Sequence, residues 1–172
     1  ATAGCASATR GLTAGGIGGS NNIIDYITIA STGNATDFGD LTKASYYNTA
    51  CSNATKGLIT AGTNNATQAV EFVTIATTSN SADFGDLSVA RIFCDGFSDS
   101  TPSSALESFF APAAIGVLGG GYANNEAESI IEYMNIASDG QVGIFGDLIN
   151  PAYGIGNGAA STTRGISFGG YA

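Results

Sequence analysis

Apolar positions along this chain fall in short segments, β-branched or aromatic, separated by clusters of Gly, Asn, Ser and Thr. That pattern predicts strands and tight turns. In Ile23-Ile-Asp-Tyr-Ile-Thr-Ile-Ala30 the residues alternate with period two. Ile24 and Tyr26 share one face, while Ile23, Ile27 and Ile29 share the other, with Asp25 the exception. A strand that is apolar on both faces is expected to be covered on both. Four strands are predicted in the first unit, at residues 10–15, 23–30, 35–41 and 45–51.

The unit then repeats. Asp25-Tyr-Ile-Thr-Ile-Ala30 returns as Glu71-Phe-Val-Thr-Ile-Ala76 and again as Glu132-Tyr-Met-Asn-Ile-Ala137, at shifts of 46 and 61 residues. Behind each copy stands Asp37-Phe-Gly-Asp-Leu41, Asp83-Phe-Gly-Asp-Leu87 or Ile144-Phe-Gly-Asp-Leu148. Ahead stand Arg10-Gly-Leu-Thr-Ala-Gly-Gly16, Lys56-Gly-Leu-Ile-Thr-Ala-Gly62, Ile115-Gly-Val-Leu-Gly-Gly-Gly121 and Arg164-Gly-Ile-Ser-Phe-Gly-Gly170. The third copy is 15 residues longer, and the extra length lies between Leu87 and Ile115. There, residues 95–104 read as a turn-rich loop and residues 105–110 as a short helical turn. One repeat domain over 1–172 follows, with repeats at 5–50, 51–93 and 94–158, a loop insertion at 94–112 and a partial repeat at 159–172.

Four short strands per period of about 45 residues are the signature of propeller blades. The expected fold is therefore all-β, a β-propeller of four-stranded antiparallel blades, about three and a half of them in this chain. The glycine runs Gly15-Gly16, Gly119-Gly120-Gly121 and Gly169-Gly170 are expected to close a strand where neighbouring blades crowd and φ turns positive. The pairs Asn21-Asn22, Asn64-Asn65 and Asn124-Asn125 follow as hairpin residues. Since a closed propeller takes typically four to eight blades, the chain is expected to be part of a longer propeller, ahead of a ring completed by subunits or an open stack. The absence of an initiator Met points the same way, to a processed product or a segment.

The wording of the repeat resembles kelch-type blades. Ile24-Asp-Tyr-Ile-Thr-Ile-Ala-Ser-Thr-Gly-Asn-Ala-Thr-Asp-Phe-Gly-Asp-Leu41 is closer still to the kelch-like repeats of marine tailed-phage virion proteins, especially those infecting cyanobacteria. In those proteins such blocks alternate with Cys-Ser-Xaa-Xaa-Thr-Arg-Gly segments, matched here by Cys5-Ala-Ser-Ala-Thr-Arg-Gly11 and Cys51-Ser-Asn-Ala-Thr-Lys-Gly57. The chain departs from the pattern in having no Trp, in its third copy, and in Ile144 where Asp37 and Asp83 stand. The resemblance implies a non-enzymatic structural component of the virion, in the tail, nozzle or fibre region. Its partners would be other virion proteins, or further copies or segments that complete the propeller. The alternative is a module that binds a host-surface glycan or protein through the insertion, with Phe97, Phe109 and Phe110.

Composition narrows the chemistry. The chain has 25 Gly, no His, and a net charge of −9 from 5 basic and 14 acidic residues. Without His there is no Ser-His-Asp triad, no Cys-His pair and no imidazole base. A copper oxidase on a kelch-like propeller would need His ligands. Five scattered cations make no phosphate-binding patch, so direct nucleic-acid binding is not expected. No apolar run approaches the ~20 residues of a membrane span. An odd cysteine count argues against a closed disulfide framework. Cys5, Cys51 and Cys94 read as small buried hydrophobes.

Asp37/Asp40 and Asp83/Asp86 are the candidate calcium ligands, but they are read instead as turn-capping residues, since the third copy lacks one member. Asp-Phe-Gly copies a kinase motif in letters only. Gly154-Ile-Gly-Asn-Gly-Ala159 is read as a loop rather than a dinucleotide site. Asn34, Asn53 and Asn65, each in Asn-Xaa-Thr, are read as turns, and Arg10, Lys56 and Arg164 as a structural ladder of cations. No catalytic, cofactor or metal residue is assigned.

Overall fold

The computed structural model describes residues 2–18, 22–60, 62, 67–98, 115–138, 140, 142–154, 157–161, 164–168 and 170–171, and every regular element among them is a strand. The first sheet joins β1 (Ala3–Ala6), β2 (Arg10–Ala14), β3 (Ile23–Thr28) and β4 (Thr36–Asp40), antiparallel and in chain order. The second joins β5 (Thr49–Ser52), β6 (Lys56–Thr60), β7 (Ala69–Thr74) and β8 (Ala82–Asp86) in the same way. The third begins with β9 (Asp95–Ser98) and β10 (Ile115–Gly119). A small hairpin of β11 (Tyr122–Ala123) and β12 (Glu126–Ala127) then precedes β13 (Ile130–Asn135) and β14 (Val142–Asp147). Finally β15 (Asn157–Ala160) pairs with β16 (Gly165–Phe168). This pair has the register of β1 on β2: Ala159 faces Ile166 and Ala160 faces Gly165, as Cys5 faces Leu12 and Ala6 faces Gly11.

The sheets pack face to face in chain order, and their first strands are neighbours: β1 against β5, β5 against β9, β9 against β15. One apolar cluster, including Leu12, Ile24 and Phe38 with Ile59, Val73 and Ile75, fills the seam between the first two sheets. A second, including Leu58, Val70 and Phe84 with Leu118, Met134 and Ile136, fills the next. Hydroxyls stitch the first strands together. Ser52 Oγ donates to the Ala6 carbonyl at 2.8 Å, and Ser98 Oγ to the Ser52 carbonyl at 2.6 Å.

The repeated Phe-Gly dipeptide has a local cause. In each sheet the register of the last strand pair slips, between Ile24 and Asp25, Val70 and Glu71, and Ile131 and Glu132. The slip leaves Phe38, Phe84 or Phe145 as the extra residue of a β-bulge, followed by a glycine with φ of 147–156°. At Gly39 a side chain would collide with the backbone of Ser79 in the neighbouring sheet, so the bulge also admits a close approach.

Several expectations are corrected by the register. Residues 45–51 do not close the first sheet; Thr49–Ser52 opens the second. Asp95–Ser98, read as loop, is the first strand of the third sheet, so the long connection begins after Ser98. Asn157–Ala160, also read as loop, is strand β15. Nor is β3 covered on both faces: Ile23, Ile27 and Ile29 are exposed, whereas Val73 and Ile75 in the second sheet are buried. The period-two pattern is right, but in the first sheet no neighbour covers that face. The expected turn at 105–110, with Phe109 and Phe110, lies outside the described residues, as do Asn21, Asn64 and Asn65. Asn124 and Asn125 do form the β11–β12 turn, with φ of 51° and 67°. These left-handed values at both central residues are those of a type I′ hairpin.

Candidate functional site

The first strands border a cleft of about 460 Å³. Its wall includes Thr2, Tyr47, Asn48, Phe93, Asp95 and Gly154. Tyr47 and Phe93 are held by an unusual backbone. Both have positive φ, 64° and 58°, where a bulky side chain is costly. They stand one repeat apart at the turn entering β5 and β9, and the same turn before β15 uses Gly154 with φ of 66°. Their rings lie 4.1 Å apart at 37°. Tyr46 packs edge-on to Tyr47, and Tyr153 lies 6.3 Å from Phe93, so aromatic rings line the seams from sheet to sheet.

Polar groups accompany the rings. Asn48 is buried, and its Oδ1 accepts from Ser45 Oγ at 2.8 Å, while its Nδ2 has no hydrogen-bond partner. Burial raises the pKa of Asp95 above the ordinary carboxylate value, and the Ser167 hydroxyl, donating to Oδ2 at 3.0 Å, partly offsets that rise. Aromatic faces beside amide and carboxyl groups suit an uncharged polyhydroxylated ligand, which stacks its apolar face and donates its hydroxyls. Residue patterns alone passed over Tyr47, Asn48 and Phe93. Their signal was the aromatic residue at Tyr47 recurring as Phe93, 46 residues later.

The residues singled out from sequence are scattered. Asp37 and Asp83 are exposed on β4 and β8. The Asp40 backbone belongs to the seam: its N–H donates to Asn80 Oδ1 at 3.0 Å and its carbonyl accepts from the Ser81 N–H at 2.9 Å. Among the described residues no three His, Cys, Asp or Glu side chains converge as metal ligands. Nor is any helix among them long and apolar enough to cross a membrane. Asn53 is a turn residue, its Oδ1 accepting from the N–H groups of Thr55 and Lys56. Arg10 and Lys56 lie over the rings of Tyr26 and Phe72 at 4.5 and 4.8 Å, and Arg10 also donates to the Ile75 carbonyl of the next sheet.

The three cysteines divide into two roles. A Cβ at Gly57 would lie 2.6 Å from Cys5 Sγ, and one at Gly116 2.5 Å from Cys51 Sγ. Each thiol therefore fills a notch that the glycine of the next sheet leaves open. The third such contact is made by Phe97, whose ring covers Gly158 and Gly165. Phe97, not Cys94, is thus the counterpart of Cys5 and Cys51, and it packs against a sheet rather than serving a surface loop. Burial pushes the thiols of Cys5 and Cys51 up to about 12 and that of Cys94 to about 11. At neutral pH they are inert packing groups.

One acidic position also recurs. Glu71 accepts from the Thr42 N–H at 3.0 Å and from the Thr42 hydroxyl across the first seam. Glu132, one repeat later, accepts from the Ser88 N–H at 2.7 Å and pairs with Arg91 at 2.6 Å, both side chains being fully buried. No protein-family model and no curated protein matches this sequence.

Proposed function

We propose that the chain is a kelch-like β-propeller segment acting as a non-enzymatic structural component of a marine phage particle, in the tail, nozzle or fibre region. The observation that supports the propeller part is the adjacency of equivalent first strands, β1, β5, β9 and β15, each opening its own antiparallel sheet. The virion part rests on the resemblance of the repeat wording, and the non-enzymatic part on the absence of His. Its work is mechanical: apolar burial between sheets makes a stiff body. A net charge of −9 keeps such a body from adhering to DNA phosphates that pass it. Mass spectrometry of purified particles tests this reading. Peptides of the chain are expected at fixed stoichiometry, and their absence would end it.

The cleft favours a second reading, a binding module for a host-surface glycan. Tyr47, Phe93 and the unpartnered Asn48 Nδ2 are its support. A glycan array on the purified chain checks it, with binding expected to be lost in Tyr47→Ala.

A further inference from the structure

The second and third sheets place a glutamate at the same point of the same strand pair, and the two are completed differently. In the seam between these sheets, Glu132 Oε1 accepts from the Ser88 N–H at 2.7 Å and Oε2 from Arg91 Nη2 at 2.6 Å. Arg91 Nη1 also donates to the Ile130 carbonyl at 3.0 Å. The fold thus holds a guanidinium, wholly buried, between one carboxylate and one strand carbonyl.

The seam between the first and second sheets has the same frame without the arginine. Glu71 stands in the place of Glu132, and Thr42, whose N–H donates to Glu71 Oε2 at 3.0 Å, in that of Ser88. Ala69 opposes Asp86 as Ile130 opposes Asp147, so the Ala69 carbonyl is the counterpart of the one that holds Arg91. At the position of Arg91 itself, 46 residues earlier, stands Ser45. A cavity of about 250 Å³ lies there, with Ser45, Ala69, Glu71 and Asp83 in its wall. Its charge also differs from that of the next seam. Glu71 is directly opposed by Asp83 across β7 and β8, whereas Glu132 is opposed by Ile144. Like charges in direct opposition repel. The Thr42 and Ser81 hydroxyls donate to Glu71 but bring no positive charge. Lys43, also in the wall, is exposed.

We propose that this cavity binds the guanidinium group of a small alkylguanidine, in the place that the Arg91 head fills in the next seam. The planar head donates to the Glu71 carboxylate and to the Ala69 carbonyl, and Asp83 supplies the second negative charge. The exposed Asp83 and Lys43 mark the open side, where the alkyl tail leaves. A guanidinium suits the site better than an ammonium, because its fixed fork of N–H donors serves carboxylate and carbonyl at once. Both walls belong to sheets of this chain, so the site does not depend on what adjoins the first or the last sheet. It rests on neither the propeller nor the virion reading.

Titration of the full, isotopically labelled chain with ethylguanidinium chloride at constant ionic strength, followed by NMR, tests the proposal. Amide shifts around Thr42, Glu71 and Asp83 are expected to saturate as one site. Ethylammonium should bind about tenfold more weakly, since it lacks the fork. Asp83→Asn, at an exposed position, is expected to weaken binding several-fold, and Glu71→Gln by about tenfold or more. Ser45→Arg supplies an internal guanidinium and is expected to abolish binding, with circular dichroism showing the sheets intact. Should that variant not fold, the two acid variants decide. Shifts that do not saturate in the unsubstituted chain would overturn the proposal. So would affinity that Asp83→Asn and Glu71→Gln leave unchanged, or equal affinity for ethylammonium, which would make the cavity a general cation site.

Discussion

A methyl group at Gly116 has nowhere to go, since Cys51 Sγ already occupies the notch. Gly116→Ala is therefore expected to destabilise the protein by about 1–3 kcal/mol, the usual cost of overpacking. Adding Cys51→Ala should recover part of that loss, because the methyl replaces the volume of the sulfur. Gly11→Ala, where the methyl would meet only Ile27 of its own sheet, should cost less. Urea denaturation of the four proteins checks all three statements. The thiols also set a pH limit. Above their ordinary value of 9.0 they ionise in the unfolded chain but stay protonated in the fold, up to about 11–12. Stability therefore falls as pH rises from 9 towards 11, by about 1.4 kcal/mol per pH unit for each thiol. Urea midpoints measured between pH 8 and 10.5 should show this slope, and Cys5→Ala should lessen it.

Asp95 shifts in the same direction at the acid end. Its raised pKa means the carboxylate is tolerated rather than favoured among the first strands. The protonated form contributes its stability fully below pH 3.8 and loses it as pH rises through the raised value. Asp95→Asn keeps an acceptor for Ser167 and removes the charge. Tm is expected to rise by a few degrees at pH 7, with a smaller gain at pH 4. Thermal unfolding at the two pH values decides it.

At the scale of elements, the seams are where polar groups are committed. Arg91 and Glu132 form a fully buried pair, with Arg91 Nη1 also donating to the Ile130 carbonyl at 3.0 Å. Removing one partner leaves an uncompensated charge, so Arg91→Met or Glu132→Gln is expected to cost about 3–5 kcal/mol. The double variant should cost much less than both together, as a double-mutant cycle would show. Strands and turns were legible in sequence because period-two alternation and Gly or Asn punctuation are local properties. Sheet membership was not. Cys5 and Cys51 recur at the repeat period and Cys94 falls three positions early; register places Phe97 at the equivalent position, and only packing reveals that a ring and a thiol fill equivalent notches. The same limit hid the cleft, whose wall gathers Thr2, Asn48 and Asp95 from three different sheets' first strands and their turns.

For the whole molecule, repetition makes the ends the informative places. The first two sheets bury Phe38 and Phe84, while the corresponding Phe145 of the third sheet is 69% exposed. Glycines tell the same story. A Cβ at Gly39 or Gly85 would meet the next sheet, at Ser79 or Gly140, but one at Gly146 meets nothing within 4 Å. Phe145 and Gly146 thus lie on the part of the third sheet that no described strand covers.

The proposed propeller requires equivalent sheets to radiate from a shared line of first strands. An electron-microscopy map of the purified assembly tests it most directly. A propeller would give a disc with sheets radiating from an axis, and with Ala6, Ser52 and Ser98 on successive innermost strands. A map with the sheets stacked in a straight row, and no axis shared by β1, β5, β9 and β15, would contradict it.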